Sequence, residues 1–303
     1  MAQLPVIAWI GAGRMGVAMA SFILKAGYPV NVFSRTASSR QKLVALGATE
    51  KLSVAQCIAN ADIVFSCITD DVALREITLG ADGVVANAKT NAIFIDTSTV
   101  SVEVSKEVDG AAAKHDVPYL RMPISGNAAS ARIGNVTALI SGPESAWRQV
   151  KPIAQTFSAA QVYLGSGEEA RVMKLVVNLL VYAHAQAMAE ALTLGRKAGL
   201  DWNLMLDTLG QSTLASPWLK AKVALMKPRD FTPTMTGRMI LKDLDLMLDA
   251  ARSNAVPLPI TVLTRQLTQE LIDEGLGDED YMAMIKLAEK QAGLTITEPD
   301  EKS

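Results

Sequence analysis

The sequence predicts an α/β fold, a doubly wound parallel sheet over residues 1–166, followed by an all-α domain over residues 167–296. Three observations predict it. The first half alternates short β-rich apolar runs with helical patterns, the signature of a parallel sheet wound by crossover helices. After Gly167 the pattern turns helical, with no proline from Glu168 to Lys197 and no glycine until Gly195. The length, 303 residues, is about twice the ~150-residue prior for one domain.

The first expected strand is VIAWI (Val6 to Ile10), followed by a helical stretch to Lys25 and then VNVF (Val30 to Phe33). IVFSCI (Ile63 to Ile68) and AIFIDT (Ala92 to Thr97) continue the pattern. These runs are nearly all apolar, as strands covered on both faces should be. PYLRMPI (Pro118 to Ile124), VTALISG (Val136 to Gly142) and QVYLG (Gln161 to Gly165) predict further strands at one edge. Residues 167–197 read as one long interdomain helix. Beyond Asp201 helical periodicity is broken at Pro217, at Pro228 with Pro233, and at Pro257 with Pro259. The polar tail, residues 297–303, is expected to fray.

Half of the chain is apolar, which excludes general disorder. With 29 Lys+Arg against 31 Asp+Glu, the net charge of −2 lacks the basic footprint of a nucleic-acid binder, so a small neutral or anionic molecule is the expected partner. The charge-free run from Leu175 to Ala189 is shorter than the ~20 residues of a membrane span and is expected to be the buried centre of the long helix. The N-terminal run ends in a glycine turn and has no basic n-region, so no secretion signal is indicated and a cytoplasmic location is expected. Cys57 and Cys67 fit neither a disulfide framework nor a zinc site and are expected as buried thiols, with no metal centre.

Directly after the first strand stands GAGRMG, with Gly11, Gly13 and Gly16 at GxGxxG spacing around Ala12, Arg14 and Met15. Gly11 permits the tight turn, Gly13 lets a pyrophosphate approach the backbone, and Gly16 lets helix and strand pack closely. The helix's first N–H groups then face the anion. Position at the head of a βαβ unit predicts a Rossmann-type dinucleotide site; the alternative is a turn that merely needs glycines. At the end of the second strand an acidic residue would bind the ribose hydroxyl; here stand Ser34, Arg35 and Thr36. A guanidinium between two hydroxyls suits a 2′-phosphate, which favours NADP over NAD. The alternative is a solvated Arg35 at the edge of the turn. Arg40 is a further candidate cation.

Proton transfer has few candidates among histidines. His115 sits in a polar turn, and His184 reads as a core or interface residue. On the long helix Lys174 and Asn178 are four residues apart, which sets them about 40° and about 6 Å apart, close enough to face one small substrate. Burial would lower the lysine's pKa toward the range of a general acid/base. From the segment alone, a lysine snorkelling from a core helix is the favoured reading.

The combination is more specific. GxGxxG at the start, DTST (Asp96 to Thr99), PISG (Pro123 to Gly126), Lys174-x-x-x-Asn178 and KDLDL (Lys242 to Leu246) resemble the β-hydroxyacid dehydrogenases, which include 3-hydroxyisobutyrate dehydrogenases and tartronate semialdehyde reductases. The resemblance spans residues 4 to about 292. It implies an active site in a cleft between the two domains, with Lys174 transferring the proton and Asn178 orienting the substrate. It further implies that Ser125, Gly126 and Asn127 hold the substrate carboxylate, that Thr99 lies beside the nicotinamide, and that Lys242 closes on cofactor and substrate. Asp243, next to it, is expected to be structural. A short hydroxy acid or semialdehyde is the implied substrate, and a homodimer or homotetramer the expected assembly. Alternatives are imine reduction, whose enzymes typically carry Asp or Tyr at the position of Lys174, and a non-catalytic nucleotide-sensing module.

Some positions depart from the family pattern. Arg121 stands where an acid is usual, expected on the far side of its strand or as an added cation near substrate. Asn127 replaces a glycine and brings a side-chain amide to the loop. Glu168, Glu169 and Ala170 replace a glycine-rich run.

Overall fold

The computed structural model describes residues 4–294. The predicted tail at 297–303 lies outside the described residues. Contacts divide the chain into two compact units between Val177 and Asn178.

The first unit is a wound α/β sheet. Its strands are β1 (Ile7–Ile10), β2 (Val30–Phe33), β3 (Thr49–Glu50), β4 (Ile63–Ser66), β5 (Ile93–Asp96), β6 (Tyr119–Arg121), β7 (Ile124–Ser125), β8 (Thr137–Ser141) and β9 (Ala160–Gly165). The connecting helices are α1 (Arg14–Lys25), α2 (Ala37–Val44), α3 (Val54–Ile58), α4 (Asp71–Leu79), α5 (Val84–Asn87), α6 (Val102–Lys114), α7 (Ala128–Arg132) and α8 (Glu144–Phe157). Among the described residues the strands form one nine-stranded sheet in the order β3-β2-β1-β4-β5-β6-β8-β7, with β9 paired to β8. Pairing from β3 through β6 is parallel, and β8 runs antiparallel to β6 and β7.

Strand alternation gives the sheet two cores. Ile7, Trp9, Phe65 and Ile95 face one side, where Trp9 stacks on Phe65 at 5.3 Å. Ala8, Ile10, Val64 and Phe94 face the other, where Phe94 stacks on Tyr119, also at 5.3 Å. Every residue of β1, β4 and β5 is buried, which explains the continuous apolar runs in the sequence. Strand β3 is not among the expected strands, because its two residues are too short a run to carry a pattern.

Helix α9 (Glu169–Lys197) runs unbroken through the unit boundary. The second unit continues with α10 (Trp202–Gln211), α11 (Pro217–Met226), α12 (Gly237–Ser253), α13 (Pro259–Asp273) and α14 (Met284–Gln291). Pro217 and Pro259 begin α11 and α13, where a missing N–H costs nothing. Trp202 lies against the Arg196 and Arg229 guanidiniums, both paired with the buried Glu289. Trp218 donates to the Tyr281 hydroxyl at 3.0 Å.

The charge-poor stretch of α9 is buried on one face only, which corrects the expectation of a buried centre. Arg171, Lys174, Asn178, Tyr182 and Ala185 are buried, whereas Val176 is 46% and Leu180 54% exposed. His184 is exposed as well, so it is no core residue. By length and composition alone α9 could cross a membrane. Its charged and polar buried face is costly for a lipid-embedded helix.

Candidate active site

The carboxyl ends of β1, β2 and β4 open a cavity of about 530 Å³ lined by residues 10–13, 33–36 and 67–69. In an open parallel sheet this switch point is where ligands bind. Gly11 turns the chain at φ +97°, and a Cβ there would lie 2.2 Å from the Cys67 carbonyl oxygen. A Cβ at Gly13 would meet nothing within 4 Å, so the turn leaves its backbone open to the cavity. Gly13 also caps α1 without a side-chain hydrogen bond. The first N–H groups of α1 thus lack a side-chain cap, as an anion site requires.

Ser34, Arg35 and Thr36 line the same cavity. Arg35 and Thr36 are exposed. Arg40 is engaged differently: its guanidinium binds the Ser34 carbonyl and, at 2.7 Å, Glu50, so it braces the turn. Arg14 and Met15 are not among the lining residues, and Met15 packs against the sheet core. Sequence reasoning missed the far wall, where Ile68, Thr69, Glu76 and Ile77 also line the cavity. The position of IVFSCI beside the first strand of a parallel sheet was the available signal for the first two. Burial pushes the Cys67 thiol up to about 11, against the hydrogen bond with Thr97.

Thr99 follows β5 in a loop fixed by Asp96. The buried Asp96 carboxylate accepts from the Ser66 and Ser98 hydroxyls, both at 2.6 Å, and from Arg171 at 2.5 Å. Arg171 is 1% exposed and also donates to the Ser98 carbonyl at 2.6 Å and the Tyr119 hydroxyl at 2.8 Å. Burial alone would lower its pKa, but Tyr119 and Asp96 hold the guanidinium more firmly protonated than usual. Lys174, one turn on, is 8% exposed.

Arg121 faces α6, through Ser105 and Asp109. It is buried, with Glu168 at 2.5 Å and Asp109 at 3.1 Å, and stacks over the Tyr119 ring at 4.6 Å. The arginine at 121 and the acid at 168 therefore form one pair.

Ser125, Gly126 and Asn127 make a turn ahead of α7. Gly126 has φ +146°, and a Cβ there would come within 2.7 Å of Val136. The Asn127 side-chain oxygen accepts from Ala129 and Ser130 N–H, both at 3.0 Å, and Ser130 closes the capping box. The oxygen of this amide is thus engaged in starting α7, which the sequence reading did not foresee.

In the second unit Asn178 is 6% exposed, and its Nδ2 donates to Asp243 at 2.9 Å and to the Tyr182 hydroxyl at 3.1 Å. Tyr182 donates in turn to Asp243 at 2.6 Å. Burial, then the neighbouring Asp243 charge, raises the Tyr182 phenol well above its usual range. Lys242 pairs with the other Asp243 oxygen at 2.9 Å.

Residues 6–165 match the family model described as the NAD binding domain of 6-phosphogluconate dehydrogenase, and residues 167–288 that of the NAD-binding of NADP-dependent 3-hydroxyisobutyrate dehydrogenase. The chain belongs to the β-hydroxyacid dehydrogenase family. Among the relatives of this β-hydroxyacid dehydrogenase, 2-(hydroxymethyl)glutarate dehydrogenase of Eubacterium barkeri is 29% identical over 96% of this chain and 97% of its own. A 3-hydroxyisobutyrate dehydrogenase of Pseudomonas aeruginosa is 30% identical over 86% and 90%. The crystal structure of a 3-hydroxyisobutyrate dehydrogenase from Salmonella typhimurium matches with a TM-score of 0.85 at 25% identity, covering 93% of this chain and 99% of that one. The protein is thus an oxidoreductase with an NAD(P)-binding domain.

Proposed function

We propose that the protein is an NADP-preferring β-hydroxyacid dehydrogenase or semialdehyde reductase in which Lys174 is the general acid/base. The observation that carries this reading is a buried lysine on α9 one turn before a buried asparagine that is itself held by a carboxylate and a phenol. A lysine snorkelling into solvent would be more exposed than Lys174, at 8%.

The dinucleotide fits the first unit: an open backbone at Gly13, an α1 N-terminus without a side-chain cap, and an exposed Arg35 on the cavity wall. The backbone of Gly11 to Gly13 would hold the pyrophosphate, and Ser34, Arg35 and Thr36 the adenosine 2′-phosphate. When bound, the nicotinamide supplies the hydride in reduction and accepts it in oxidation. Lys174 gives a proton to the carbonyl oxygen of the semialdehyde as its carbon receives the hydride, leaving a hydroxyl; in oxidation the same nitrogen takes the hydroxyl proton. With both amide hydrogens engaged by Asp243 and Tyr182, Asn178 would act through its side-chain oxygen, accepting from a hydroxyl of the bound substrate. Ser125 and the Gly126 backbone would hold the carboxylate, with the Asn127 side-chain amide nitrogen as a further donor because its backbone N–H is taken by Ser130; Thr99 would border the nicotinamide, and Lys242 would bind the ligands. A carboxylate set against these donors selects short hydroxy acids. The exposed apolar face of α9 supports a homo-oligomer, because a face of this kind is commonly covered by a partner.

The test is NADPH oxidation with short semialdehydes and cyclic imines, repeated with NADH. Turnover of semialdehydes with a preference for NADPH is expected. Turnover of imines alone points to an imine reductase, and NADPH binding without turnover of either class to a sensing module.

A further inference from the structure

The strongest feature left unused by this reading is the buried web around Arg171. No charged group of this size is needed to begin a helix, and burying one is costly unless every bond is made. The guanidinium reaches Asp96 (2.5 Å), the Ser98 carbonyl (2.6 Å), the Tyr119 hydroxyl (2.8 Å) and Ser105 (3.3 Å). Its partners come from β5, the following loop, β6 and α6. The same loop is tied to the dinucleotide cavity, because the Ser98 hydroxyl accepts from the N–H of Ile68 at 2.9 Å while donating to Asp96. Arg121 adds a parallel tie, joining β6 to Glu168 ahead of α9 and reaching the same Ser105 hydroxyl.

We infer that Arg171 is a positioning residue that locks the helical turn carrying Lys174 to the Asp96–Thr99 loop and, through Ser98, to the wall of the dinucleotide cavity. Three residues apart on one helix, Arg171 and Lys174 lie about 4.5 Å apart along the axis and on the same side. A rotation of that turn would carry the lysine nitrogen with it. The web therefore sets the proton donor in register with the cofactor side of the site, and the inference rests on Lys174 being the acid/base.

The experiment compares full-length wild type with Arg171→Gln, Arg171→Lys and Lys174→Ala. It reads kcat and KM for an accepted semialdehyde, the NADPH Kd by fluorescence titration, and the solvent deuterium isotope effect on kcat. For Arg171→Gln, kcat should fall about 10- to 100-fold, since a displacement of about 1 Å costs that much. KM and NADPH Kd should stay within about threefold. The solvent isotope effect should rise as proton transfer becomes limiting, and Arg171→Lys should recover part of the loss. Should Arg171→Gln fail to fold, Tyr119→Phe and Ser105→Ala each remove one bond to the guanidinium and should still raise the isotope effect. Wild-type kcat and isotope effect in these variants, or equal decline of kcat, KM and Kd without recovery by lysine, overturns the inference. Lys174→Ala separates the two failures: near-wild-type turnover there sinks the acid/base reading itself, whereas its loss beside a normal Arg171→Gln sinks only the positioning role.

Discussion

Asp243 accepts a 2.9 Å hydrogen bond from Asn178, and this pairing fixes which way the asparagine amide faces. A carboxylate only accepts, so the amide must turn its nitrogen toward Asp243, and both amide hydrogens are then engaged by Asp243 and Tyr182. Asp243, expected to be structural, is the acid that fixes the direction of the Asn178 amide. Asp243→Asn should lower kcat by about 10- to 100-fold through misorientation, with a stability loss of about 1–3 kcal/mol from the disrupted buried bonds. Steady-state kinetics and urea unfolding check both. Unchanged kcat would show that the amide's direction does not matter.

Cofactor preference should follow Arg35. Loss of a charge-assisted contact to a 2′-phosphate is worth about 1.5–3 kcal/mol, so Arg35→Ala should raise the KM for NADPH about 10- to 100-fold while the KM for NADH changes little. A uniform change for both nucleotides would assign Arg35 to general electrostatics. Glu50 keeps Arg40 engaged elsewhere, so Arg40→Ala is expected to act on the turn and weaken both cofactors alike.

The glycine turn is a test of the cavity itself. Gly11→Ala places a methyl 2.2 Å from a backbone oxygen at positive φ, which forces the β1 to α1 turn to open. A stability cost of about 1–3 kcal/mol and loss of NADPH binding are expected, read by thermal unfolding and fluorescence titration. Retained affinity would show that this backbone does not hold the pyrophosphate.

The fold was legible because the strands are covered on both faces and each punctuated by turn residues. Gly11, Gly13 and Lys174 with Asn178 are local patterns, and local patterns survive in a sequence. What was not legible is pairing over distance. Arg171 and Asp96 are 75 positions apart, and Asn178 and Asp243 are 65 apart, with nothing in either segment to announce its partner. Arg121 looked like a lone departure, and Glu168 like another, until the fold set them 2.5 Å apart. Asn127 adds a local case: its side-chain oxygen starts α7, a capping role the sequence reading did not foresee.

Alkaline stability should be governed by buried phenols. Burial raises Tyr119, Tyr182 and Tyr281 above the ordinary phenol value of about 10. Above that value the unfolded chain loses phenol protons that the folded chain keeps, so the folded state binds more protons and stability falls as pH rises. Their contribution is complete below about pH 10 and is lost as pH climbs toward the folded values. Urea unfolding between about pH 9 and 11 should show this decline, and Tyr182→Phe should make it shallower. An identical slope in the variant would remove Tyr182 from the explanation.

The central claim is that one buried lysine moves the proton. Turnover of an accepted semialdehyde by Lys174→Ala, measured beside NADPH affinity, addresses it most directly. A fall in kcat of about 10²- to 10⁴-fold with NADPH Kd within about threefold of wild type is predicted. Near-wild-type kcat with the same substrate would contradict it.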